Sequence, residues 1–172
     1  MNEKRQFFTL ASCESCIVAV GGVYGNVGNF YATYPVISPI EVYSIEKDSW
    51  RSLSSTQIPI LKWPGACIFT KHQNSQEKYV FIVGGKLTDI GPFHYLSEKS
   101  YIVNLNDSND VEICPSPITT RFNPSVFHDA TENKIILFGG EDDKYRLAPV
   151  IEVFNLDTRQ WLVINVNLHL VI

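Results

Sequence analysis

Apolar positions along this chain come in short runs and do not follow a helical period. Runs of about four to six β-branched and aromatic residues are separated by polar turns rich in Gly, Asn, Asp and Ser, the pattern of strands. Three runs close on a pair of glycines: Ile17-Val18-Ala19-Val20-Gly21-Gly22, Val80-Phe81-Ile82-Val83-Gly84-Gly85 and Ile135-Ile136-Leu137-Phe138-Gly139-Gly140. A second run follows each pair: Ile40-Glu41-Val42-Tyr43-Ser44-Ile45, Ser100-Tyr101-Ile102-Val103-Asn104-Leu105 and Ile151-Glu152-Val153-Phe154-Asn155-Leu156. A polar turn and an aromatic anchor come next, Trp50 in the first copy and Trp161 in the third. In the second copy the turn is longer and Val111 takes the Trp position. Another run precedes each glycine run: Gln6-Phe7-Phe8-Thr9-Leu10, Gly65-Ala66-Cys67-Ile68-Phe69 and Pro124-Ser125-Val126-Phe127. Each copy therefore predicts four strands, a to d, and no helix.

Two motifs point elsewhere and are set aside by their context. The glycines at 21, 22, 25 and 28 follow a strand, but their spacing is not that of a dinucleotide loop, and Pro35 and Pro39 stand where its helix would run. Ser38-Pro39-Ile40-Glu41 has the form of a helix capping box. Its counterpart Pro149-Val150-Ile151-Glu152-Val153-Phe154 shows the alternation of a strand.

The double glycine after an apolar strand, the aromatics Tyr43 and Phe154 in strand c, and Trp50 and Trp161 opening strand d together resemble the Kelch repeat. The departures are Val111 for Trp, Val103 for the strand-c aromatic, and repeats longer than the usual ~50 residues. The resemblance implies an all-β chain of three four-stranded antiparallel β-propeller blades, at about 5–55, 64–116 and 122–166, with an apolar tail at 167–172. Gly21, Gly22, Gly84, Gly85, Gly139 and Gly140 are expected to turn the backbone at positive φ or to allow close strand packing. Tyr43 with Trp50, and Phe154 with Trp161, are expected to fill the space between blades; three residues after the strand-d anchor stand Leu53, Cys114 and Ile164, all apolar, so Cys114 reads as packing. Three blades are fewer than the roughly four to eight of a closed ring. A homodimer of three plus three, or further blades in a longer chain, would close it, and the tail is expected to pair with a further blade.

In a propeller the b–c and d–a connections share one face. The b–c stretches here hold Tyr24, Phe30, Tyr31, Tyr34, Phe93, His94, Tyr95, Tyr145 and Arg146; the d–a stretches add Trp63 and Arg121. Tyr, Trp and Arg anchor protein interfaces, and loops on a rigid scaffold carry binding residues. The expectation is a non-catalytic module that binds a protein partner through this face, as Kelch propellers commonly do. The alternatives are a structural part of a larger propeller, or a Kelch-like enzyme such as a copper oxidase or a sugar isomerase.

Composition narrows this picture. The 172 residues are 45% hydrophobic and 19% charged with a net charge of −4, which fits a folded domain and gives no basic surface for nucleic acid. No apolar run approaches the ~18 residues that span a bilayer. Leu10-Ala11-Ser12-Cys13 looks like a lipoprotein cleavage box, but the apolar stretch before it is shorter than the ~7–15 residues of a signal peptide. The expected location is the cytoplasm. Among the cysteines, Cys13-Glu14-Ser15-Cys16 has C-x-x-C spacing without a second pair and reads as two ordinary cysteines at a turn; Cys67 and Cys114 read as strand packing. His72 and His128 are expected in a–b loops, His94 in a b–c loop and His169 in the tail, with no metal-ligand spacing. No catalytic residue, cofactor or metal is expected.

Overall fold

The computed structural model describes residues 1–23, 39–53, 55–71, 77–87 and 95–164. All regular structure among them is β. The strands are β1 (Gln6–Cys13), β2 (Cys16–Val23), β3 (Ile40–Ser44), β4 (Ser49–Leu53), β5 (Leu61–Lys62), β6 (Gly65–Phe69) and β7 (Tyr79–Val83). They continue as β8 (Lys86–Leu87), β9 (Ser100–Asn104), β10 (Val111–Cys114), β11 (Ser125–Asp129), β12 (Lys134–Phe138), β13 (Ile151–Asn155) and β14 (Gln160–Ile164). Three antiparallel sheets of four strands result, in the orders β1-β2-β3-β4, β6-β7-β9-β10 and β11-β12-β13-β14, and β5 pairs with β8 in a small fourth sheet. Each four-stranded sheet is a simple meander in which each strand pairs with the next strand of the same sheet, with β8 of the small sheet lying between β7 and β9 in the chain.

The registers make the sheets superimposable residue by residue. Val20 pairs with Ile40, Val83 with Ser100, and on the other side Thr9 pairs with Val20, Gly65 with Val83 and Ser125 with Phe138. Tyr43 faces Trp50, Val103 faces Val111 and Phe154 faces Trp161, so the third- and fourth-strand anchors are cross-strand partners in all three copies. Because side chains alternate between faces, each sheet has two apolar faces of different composition.

The sheets stack face to face in chain order. Val18, Val20, Ile40, Val42 and Leu53 of the first sheet form one core with Val80, Ile82, Tyr101 and Val103 of the second. The opposite face of the second sheet, with Phe69, Phe81, Val83 and Ile102, forms another core with Ile135, Leu137 and Phe154 of the third. The second sheet is therefore covered on both sides, and every residue of β7 and β9 is buried. Phe81 is the centre of the second core, with its ring 5.2 Å from Phe154 and 6.1 Å from Trp161. Burying one such ring removes ~150–250 Å² from water, about 4–6 kcal/mol before conformational entropy.

The two aromatic pairs differ in what they touch. Phe154 and Trp161, 5.1 Å apart, lie between two sheets as expected. Tyr43 and Trp50, 5.2 Å apart, lie on the outward face of the first sheet and fill no space between sheets. Leu53 and Cys114 are buried, whereas Ile164 is 47% exposed on the outward face of the third sheet. The same end position explains both departures, since among the described residues neither outward face has a sheet against it.

All six paired glycines have positive φ, from 64° to 93°. At Gly21 and Gly84 a second constraint acts. A Cβ on Gly21 would overlap the carbonyl oxygen of Leu61, and one on Gly84 would overlap that of Arg121, because the next sheet's backbone crosses there. At Gly139 a Cβ would meet nothing within 4 Å. The backbone also links sheet to sheet: Trp63 N–H donates to the Phe7 carbonyl and Asn123 N–H to the Trp63 carbonyl, both at 2.7 Å. Phe7, Trp63 and Asn123 hold equivalent places and share a positive φ of 63°, 52° and 55°.

Candidate functional site

The face carrying the β2–β3, β7–β9 and β12–β13 connections and the entries to β6 and β11 is organised around one cation. Lys86 follows the second glycine pair and is 2% exposed. Its Nζ lies 3.8 Å from the ring centre of Phe122, 4.1 Å from Tyr145 and 5.5 Å from Trp63. Phe122 and Tyr145 meet edge to face at 5.6 Å, Trp63 lies 5.8 Å from Phe122, and Phe7 lies tilted against Trp63 at 4.5 Å. Ring faces attract a cation, more strongly where water is excluded. Trp63 and Tyr145 thus close around a lysine of this chain. The expected interface residues here also act as scaffold.

Two ion pairs are buried within the first and third sheets. Arg5 Nη2 donates to Glu41 at 2.8 Å, and Arg121 pairs with Glu152; all four side chains are fully buried. Arg5 and Arg121 also donate to the carbonyls of Gly21 and Gly139 at 2.8 and 3.1 Å. Glu152 accepts the N–H groups of Ile118 and Thr119 at 2.6 and 3.0 Å, as Glu41 accepts that of Asn2 at 2.7 Å. Arg121 therefore lies beneath the loop face and not on it. The corresponding positions of the second sheet are Leu61 and Tyr101, both in the apolar core.

What the face displays is the turn after β12. Asp142 organises it: its Oδ1 accepts the N–H of Lys144 at 2.8 Å and of Arg146 at 2.9 Å, and its Oδ2 accepts Arg146 Nε at 2.7 Å. These bonds from Arg146, with that from Lys144, pull the Asp142 carboxyl down to about 2. Asp142 N–H in turn donates to the Arg146 carbonyl, and Glu141 exchanges two backbone hydrogen bonds with Phe122. Held this way, Tyr145, Arg146 and Leu147 project outward; Leu147 is 79% exposed and Tyr145 62%. Tyr95 is also exposed, on a strand-like segment whose carbonyl accepts Leu87 N–H at 2.8 Å. Tyr24, Phe30, Tyr31, Tyr34, Phe93 and His94 lie outside the described residues, as do His72, His169 and the apolar tail.

His128 departs from expectation. It belongs to β11 and not to a loop, with its ring 5.6 Å from Phe69. Burial lowers its pKa, against a smaller upward pull from Asp129. With Leu10, Ala11, Cys67, Ile68 and Phe127 it lines an open cavity of about 320 Å³ between β1, β6 and β11. Among the described residues no three His, Cys, Asp or Glu side chains are placed to hold a metal ion, and no helix is long and apolar enough to cross a membrane. Cys13 and Cys16 face each other across the β1–β2 hairpin tip as free thiols, Sγ to Sγ 3.1 Å.

The cage and the ion pairs were hidden from sequence reading to different degrees. Glu41 and Glu152 interrupt apolar strands at the same repeat position, a visible signal of a buried partner. Nothing in the spacing marks Lys86, which sits beside a glycine pair like any turn lysine. No model of a known protein family matches this chain, and no curated protein is similar to it.

Proposed function

We propose that the three four-stranded sheets are blades of a Kelch-type β-propeller and that the chain is a non-catalytic protein-interaction module. The observation that carries this reading is the rigid display of Tyr145, Arg146 and Leu147. Asp142 fixes the turn backbone, and Lys86 fixes the Tyr145 ring from below. An exposed aromatic, an arginine and a leucine on a preorganised turn bind with little ordering cost, and Tyr and Arg dominate interface energetics. The repeat geometry supports the blade reading: glycine pairs at positive φ, each of the first two crossed by the backbone of the next sheet.

The test is affinity capture from a cytoplasmic extract on immobilised protein, comparing the natural chain with Arg146→Glu/Leu147→Ser. Both changed side chains are exposed and belong to neither core. A discrete set of proteins retained by the natural chain and lost by the variant is expected. Identical retention by both, or none by either, contradicts the reading.

A further inference from the structure

The two uncovered sheet faces are the two halves of a contact this chain already makes twice. Between the first and second sheets, and again between the second and third, one kind of face meets the other. The first kind is built from positions equivalent to Val18, Val20, Ile40 and Val42. In the third sheet those positions are Ile136, Phe138, Ile151 and the buried Val153, continued by Leu162 and Ile164 on β14, and no sheet among the described residues lies against them. Phe138 is 43% exposed and Leu162 59%, in an apolar row that water would otherwise have to meet. The second kind of face is the one that carries Phe154 and Trp161 in the third sheet. In the first sheet it carries Tyr43 and Trp50 and points away from the rest of the chain.

The backbone shows the same unfinished step. The first glycine of each of the first two pairs is crossed by the carbonyl of the residue four before the next inner strand, Leu61 over Gly21 and Arg121 over Gly84. Arg5 is the equivalent residue of the first sheet by register, and the space over Gly139 is open. Likewise the chain of hydrogen bonds from Asn123 to Trp63 to Phe7 has a next member by equivalence, a Phe7 N–H on the Asn123 carbonyl.

We infer that a second copy of this chain docks its first sheet on the third sheet, head to tail, and that the reciprocal contact closes a ring of six sheets. Arg5 of the second copy crosses Gly139, and Tyr43 and Trp50 of the second copy pack on Ile136, Phe138 and Leu162. The stoichiometry follows from closure. The described residues give three four-stranded sheets, so two copies give six, within the roughly four to eight that rings of this kind hold, whereas three copies give nine. Head-to-tail contacts that close make a finite ring. The inference rests on the blade reading above and not on the loop face, and the experiment separates them.

Mass in solution is measured by light scattering on a sizing column at tens of micromolar, with circular dichroism as the check on folding. The natural chain is expected at twice its 19.5 kDa. Leu162→Glu on one face, and Trp50→Glu on the other, are each expected to run as folded monomers. Gly139→Ala is expected to lose the dimer as well, although its Cβ meets nothing within the chain. Arg146→Glu/Leu147→Ser keeps the dimer, so loss of partner capture and loss of dimer are read independently. A natural chain that runs at the monomer mass overturns the inference and leaves the faces to the chain's own tail or to further sheets. A dimer that survives either Trp50→Glu or Leu162→Glu also overturns it, because it would use one face only.

Discussion

Replacing Glu152 by Gln puts the buried ion pair under direct load. Both side chains of the Arg121–Glu152 pair are fully enclosed, and the carboxylate also accepts two backbone N–H groups, from Ile118 and Thr119. Gln keeps the volume and one acceptor oxygen, so the loss is electrostatic: the guanidinium stays buried without its counter-charge. Breaking a buried pair from one side costs about 3–5 kcal/mol, and the hydrogen bonds to a charged group, ~1.5–3 kcal/mol each, give the same scale. With a urea dependence of about 2 kcal/mol per molar, the unfolding midpoint should fall by about 2 M. Glu132→Gln is the control. It breaks an exposed pair with Lys134 and should change stability by less than about 1 kcal/mol. A second arm copies the middle sheet: Arg121→Leu/Glu152→Tyr installs the residue types found at Leu61 and Tyr101, leaves no charge unpaired, and should be more stable than Glu152→Gln alone. If Glu152→Gln moves the midpoint no further than Glu132→Gln, the pair is not buried as described and the reasoning fails.

Three other consequences are measurable. Gly84→Ala combines a left-handed backbone, ~1–2 kcal/mol for a residue with a Cβ, with overlap against the Arg121 carbonyl, ~1–3 kcal/mol; thermal melting should drop by about 5–15 °C, and an unchanged melting temperature would contradict the close sheet crossing. Lys86→Met keeps the packing but removes the cation from three rings, so a loss of about 0.5–2 kcal/mol is expected in the same melts; a gain in stability would mean that the cage does not hold the charge. The thiols should separate by reactivity. Burial pushes Cys67 and Cys114 up to about 12 and Cys16 to about 11, while at Cys13 the hydrogen bonds from Cys16 and Ser15 outweigh burial and lower it. At pH 8 an alkylating reagent should label Cys13 first, read by peptide mass spectrometry, and rapid labelling of native Cys67 would refute the assignment. The raised thiols also set a sign. Their contribution to stability is intact below about pH 9, the ordinary thiol value, and is lost as pH rises toward 12.

The sequence was most legible where one residue type serves one local purpose. The glycine pairs announced positive φ, and Tyr43 with Trp50 and Phe154 with Trp161 announced cross-strand partners, because both depend on neighbours a few residues away along a meander. Which faces those partners would meet was not legible. Trp50 and Trp161 hold the same register position, each opposite an aromatic of the third strand, and only the order of the sheets decides that Phe81 packs against Trp161. The same limit applied to the loop face. Trp63, Tyr145 and Arg121 have the composition of an interface, yet two of them hold Lys86 and the third is buried with Glu152, contacts that join residues 23 to 59 positions apart. Positive φ at Phe7 and Trp63 had no sequence signal either, since bulky residues rarely adopt it and the sheet-to-sheet hydrogen bond imposes it.

The central claim is that three equivalent sheets stack in chain order with the second enclosed. Hydrogen–deuterium exchange resolved to single amides tests it most directly. Protection follows burial and cooperative opening, so the amides of Tyr79–Val83 and Ser100–Asn104 should exchange slowest in the molecule, through global unfolding alone. Exchange of those two strands as fast as that of the outermost strands, Ser49–Leu53 and Gln160–Ile164, would contradict the stacked order.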